Sequence, residues 1–176
     1  LAGLTTAAVW LGGTVFFMLA MDPLLGSSEW IRLLGPLHAG EVSVQGMERF
    51  HLFLVIGAAL AVAHLLAEWL YSGRTLDLRL LALLLVLLAL GSTGRLYLAD
   101  KCRQANLKAY LGPERQVQRQ AISPAQKQAE RSLAVWHGVV VVVHVIALSG
   151  VVLYFLYQAS PQQGGPRLFP RARLKI

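Results

Sequence analysis

The stretch Leu133–Tyr157, LAVWHGVVVVVHVIALSGVVLYFLY, decides the fold. It contains no Asp, Glu, Lys or Arg, and the unbroken run Val139–Val143 leaves no polar face. A helix on the surface of a soluble domain keeps a polar face. A helix in lipid needs none, and about 20 apolar residues cross the hydrocarbon core. Three more stretches read the same way: Leu1–Met21, Phe50–Tyr71 and Leu78–Ala99. The chain is therefore expected to be an all-α integral membrane protein. Its fold should be an up-down bundle of four transmembrane helices, with spans at about 1–21, 50–71, 78–99 and 133–157.

Composition agrees. Of the 176 residues, 56% are hydrophobic and 14% charged, where a soluble domain carries about 25% charged residues. Residues 1–159 read as one membrane domain. The net charge of +7 comes from basic residues that flank the spans. Anionic lipid headgroups are their natural counterpart, and no nucleic acid is expected. Cys102 is the single cysteine, which excludes an internal disulfide, a multi-cysteine zinc site and a Cys-x-x-Cys-His haem motif. No metal site is expected. The first stretch lacks a basic n-region and a cleavage-like end, so it reads as a span and not as a signal peptide. Its Gly12-Gly13 pair suits packing on other helices through small residues.

The connections differ in kind. Between spans one and two, Leu24–Glu48 is too polar to cross a membrane. Within it, Ser28–Leu34 reads as a short interfacial helix, with Ser28 as cap, Trp30 as anchor and Gly35-Pro36 as stop. Ser72–Thr75 forms a tight turn, so helices two and three are antiparallel neighbours. Asp100–Arg131 is the long connection. Ser123-Pro124-Ala125-Gln126 is a helix-start pattern, so helix four begins in water and is extended by a polar stem. The tail Ser160–Ile176 is rich in Pro, Gly and basic residues and needs a surface to lie on, which implies contact with other membrane subunits. Lys and Arg favour loops 22–48 and 100–131 on the cytoplasmic side and exoplasmic termini. The expected location is a bacterial inner membrane.

Ionisable residues inside spans are functional candidates. Arg49, Arg95, Asp100 and His137 fall near the loop-side ends of helices two to four and form a candidate polar mouth for an anion, a lipid headgroup or a substrate. His64 and Glu68 are one turn apart on helix two. The histidines also admit a haem b or chlorophyll-type pigment site, through His51 with His137 or His64 with His144, although no cofactor is the first expectation.

Trp10-Leu11-Gly12-Gly13 with Phe16-Phe17, the Arg95-containing end of helix three, and Trp136-His137-Gly138 after a polar stem resemble a known family. They are similar to bacterial four-span membrane proteins of unknown function related to the transmembrane-protein-205-like family. The resemblance implies a four-span fold and supplies no reaction. At the start of helix two the family has a Phe-Pro-x-Tyr-like segment, where this chain reads Met47-Glu48-Arg49-Phe50-His51.

The first functional expectation is a non-catalytic accessory or scaffold subunit of a larger membrane complex, respiratory or photosynthetic. A small transporter or channel using the Arg95 and His137 region is the second. A haem- or pigment-binding electron-transfer module is the third.

Overall fold

The structure, a computed structural model, describes residues 2–72, 76–111 and 124–160. Among these the chain is helical with no strand, and four helices are long and apolar enough to cross a membrane: Gly3–Leu25, Ser28–Tyr71, Leu78–Leu111 and Lys127–Ala159. The first joins α1 (Ala2–Phe16) to α2 (Asp22–Leu25) through a π-helical turn at Phe17–Met21. The second is α3 (Ser28–Ser72), kinked at Gly35, where φ is 74°. The third joins α4 (Leu78–Thr93) to α5 (Ala99–Leu111) through a second π-helical turn at Gly94–Leu98. The fourth is α6 (Pro124–Ala159).

Two boundaries correct the sequence reading. Residues 36–48, expected as a polar connection, lengthen the second helix by roughly three and a half turns. Gly35 takes the left-handed φ that glycine tolerates, and Pro36 then occupies a first turn, where its missing N–H is no loss. The polar residues of this stretch surround a buried stripe of Ala39, Val44 and Met47, so packing holds it helical. Residues 100–111, also expected as connection, continue the third helix and bury Cys102, Ala105, Asn106 and Ala109 along one face. The stem foreseen on the fourth helix alone is thus shared, with α5 packing on both α3 and α6.

Other local readings fare differently. Residues 28–34 are helical, but the cap is Ser27, whose Oγ accepts from the Trp30 N–H at 3.3 Å, and not Ser28. The fourth helix begins at Pro124, and its expected cap Ser123 lies outside the described residues. So do the turn residues 73–75 and the tail beyond Ser160. Asp77 caps the third helix, its Oδ1 accepting from the Arg79 and Leu80 N–H groups at 3.1 and 3.3 Å.

Each long helix packs on the next in sequence, and the fourth closes on the first. The main core gathers Trp10, Leu54, Leu84, Leu87, Val151 and Tyr154, and a smaller one at the base of the stem holds Val44, Met47, Leu98, Cys102 and Val140. Trp10 meets Tyr154 edge-on at 5.7 Å. The outward faces are apolar as well: Val9, Leu19, Leu60, Val86, Val142 and Leu153 are all exposed.

Candidate functional site

The stem holds a half-open cavity of about 350 Å³. Its walls come from all four long helices. Asp22 and Leu25 belong to the end of the first, Ser43 and Met47 to the second, Cys102, Asn106 and Tyr110 to the third, and Glu130 and His137 to the fourth. Among the described residues lining it there is no Lys or Arg. Asp22 lies within electrostatic reach of His137. Asn106 is almost fully buried, its Nδ2 donating to the Leu37 carbonyl at 3.1 Å, and Gly40 makes room for its amide.

A single cation organises the charges beside this chamber. The Arg103 Nη2 lies 2.7 Å from the Glu48 carboxylate, its Nε 3.7 Å from Glu41 and its Nη1 3.6 Å from Asp100. Of the residues expected at a polar mouth, His137 lines the cavity and Asp100 joins the Arg103 cluster. Arg49 and Arg95 do not line it; both are on exposed faces. Arg95 falls within the second π-helical turn, whose extra residue shifts the face that follows. Arg103, Glu41, Cys102 and Asn106 lie in segments that read as loop from sequence, so nothing in hydropathy brings them together. The seven-residue spacing of Glu41 and Glu48 was the available signal, since it sets both on one helix face.

Deeper inside, His51 and His144 meet across the centre, from the second and fourth long helices. Their ring centroids are 5.2 Å apart and tilted by 46°, and they are 0% and 1% exposed. The His51 Nδ1 is 2.9 Å from the Met47 carbonyl oxygen, which can only accept. Nδ1 therefore carries the proton, and Nε2 of the neutral ring keeps a lone pair. That Nε2 and both ring nitrogens of His144 are buried with no hydrogen-bond partner. Phe50 packs edge-on against His144 at 4.6 Å, and Phe17 lies 5.9 Å from it. The expected haem pairings were His51 with His137 and His64 with His144. The structure instead joins one member of each pair.

His64 belongs to the opposite end of the protein. Its Nε2 is 3.8 Å from Glu68, and Gly3 admits its ring. Nearby, Gln158 donates to the Tyr154 hydroxyl at 3.4 Å, and the Tyr157 hydroxyl donates to Asp77 at 3.2 Å. Among the described residues no group of three or more His, Cys, Asp or Glu is placed to hold a metal ion.

Comparison with family models, with curated proteins and with solved structures returned no match.

Proposed function

We propose that this chain is a four-span membrane bundle of the bacterial inner membrane, related to the transmembrane-protein-205-like family, whose stem chamber binds a small amphipathic amine. This places it in the transporter or solute-binding class. The observation that carries the reading is the lining of the 350 Å³ cavity: the half-buried Asp22 carboxylate, with Ser43, Asn106 and His137 as its polar neighbours in an otherwise largely apolar wall and no described Lys or Arg. Cavities of roughly 300–1,000 Å³ suit small organic ligands. An ammonium group would meet Asp22, and an apolar body would lie along Leu25, Val44 and Leu133.

Aromatic residues support the membrane placement. Tyr97 and Trp136 pack edge-on at 6.1 Å, and Lys101 lies over the Tyr97 ring. Trp69, Tyr71 and Tyr157 stand at the other ends of their helices. Such side chains favour the membrane–water interface. Trp136 to Tyr157 rises roughly 30 Å along a helix, the thickness of a hydrocarbon core. The stem and its chamber then project into water on the loop side, which the Lys and Arg distribution makes cytoplasmic. The scaffold-subunit reading drew on the tail, most of which lies outside the described residues, and on apolar outer faces that lipid satisfies equally well. The chamber favours the transporter class over it.

Cys102 lines the chamber and is the chain's only thiol, so it reports occupancy directly. Cys102 is only 7% exposed, so in proteoliposomes a small membrane-impermeant methanethiosulfonate should label it slowly from the stem side. Octylammonium should slow that labelling, and octyl sulfate at the same concentration should not. Equal protection by both, or no labelling from either side, would contradict the proposal.

A further inference from the structure

We propose that His51 and His144 form a two-nitrogen site for a single monovalent copper ion, Cu(I). The site is built by all four long helices. The second and fourth supply the ligands. The first and third each depart from α-helical geometry at the pair: Phe17 opens one π-helical turn and packs on His144, and Gly94 opens the other and packs on His51. Isolated π-helical turns recur at functional sites. A Cβ at residue 94 would collide with the His51 Nε2 and Cδ2, so glycine there lets the ring lie against the third helix and fixes its place.

Three ring nitrogens lie unpartnered in this apolar interior. A buried polar atom without a partner costs roughly 1–3 kcal/mol, so one such nitrogen from each ring, with ring centroids 5.2 Å apart, calls for a guest. The donor set selects it. Tetrahedral Zn²⁺ takes four ligands and octahedral Mg²⁺ takes oxygen, and the described residues gather no third His, Cys or carboxylate. No carboxylate balances charge at the pair, and the solvation cost of burying an ion rises with the square of its charge, which favours a single positive charge. Imidazole nitrogen suits copper, and the filled d shell of Cu(I) imposes no coordination geometry, so it accepts as few as two donors. Binding forms two dative bonds from neutral nitrogens. It releases no proton and changes no oxidation state. A haem would need a flat slot between the rings, whereas Phe50 lies 5.7 Å from His51 and 4.6 Å from His144 and is itself stacked on Phe17 at 4.3 Å.

The test uses the full chain in lipid nanodiscs, titrated anaerobically with the Cu(I)–bicinchoninate complex. The protein should withdraw one equivalent of copper. Cys102→Ala, His64→Gln and His137→Gln should bind as the unaltered chain does. His51→Gln and His144→Gln should each lose more than the roughly 100-fold that removing an outer-shell partner of a metal ligand costs. X-ray absorption on the unaltered copper-loaded protein needs no variant and should show low-coordinate Cu(I) with nitrogen neighbours only. No copper uptake, uptake undiminished in His144→Gln, a sulfur neighbour, or a Soret band in the purified protein would each overturn the proposal.

Discussion

Gly94→Ala is expected to destabilise the protein, against the usual preference of helices for alanine. In a helix interior alanine is favoured over glycine by about 1 kcal/mol. At this position the new Cβ would overlap the His51 ring. The ring has little freedom to retreat. It is 0% exposed, held through Nδ1 to the Met47 carbonyl and flanked by Phe50 and His144. Overpacking of this kind costs roughly 1–3 kcal/mol. Displacing the ring from Met47 removes about 1 kcal/mol more, which cancels the helix-propensity gain. The net loss is therefore about 1–3 kcal/mol. Gly138→Ala is the control, because a Cβ there meets nothing within 4 Å. It should keep the gain and stabilise by up to about 1 kcal/mol. For a chain of this size 1 kcal/mol moves the melting temperature by roughly 2–4 °C. Circular dichroism melts in one detergent would read both variants. A Gly94→Ala protein melting at or above the unaltered chain would refute the packing of Gly94 on His51.

Three further substitutions test other contacts. Arg103→Ala should cost about 1 kcal/mol, since its pairs with Glu41 and Glu48 are roughly one-third exposed, Asp100 is more exposed still, and all are screened; the loss in melting temperature should shrink at high salt. Arg95→Ala, on an exposed face, should shift the unfolding midpoint by no more than about 0.5 kcal/mol. Asp77→Ala removes the cap of the third helix and the acceptor of the Tyr157 hydroxyl. It should lower stability by about 1–2 kcal/mol in the same melts.

The four long helices were legible because an uncharged run of this length has few other readings. Their true ends were not. Residues 36–48 and 100–111 are helical through narrow buried stripes of small residues, such as Ala39, Ala105 and Ala109, and small residues among charges look like a loop in hydropathy alone. The histidine pairing failed for a related reason. The fourth helix is apolar all round, so its inward line of Val140, His144, Ala147, Val151 and Tyr154 emerges only from packing. Depth differs from the sequence expectation too: His51 meets His144 and not His137, a displacement of two turns or roughly 10 Å along the fourth helix. Asp22 sits where the first apolar run ends, a position that hydropathy alone marks only as a boundary, yet it supplies a wall of the chamber.

Everything functional here depends on the four helices lying in a bilayer with the stem outside it. The most direct measurement is the collision accessibility of a nitroxide at position 142, introduced as Val142→Cys in a Cys102→Ala background and reconstituted in liposomes. Val142 is 58% exposed on the outer face of the fourth helix, between the proposed aromatic levels. High accessibility to oxygen with little to a water-soluble nickel chelate is the expected result. Free access of the nickel chelate would place this face in water and contradict the account.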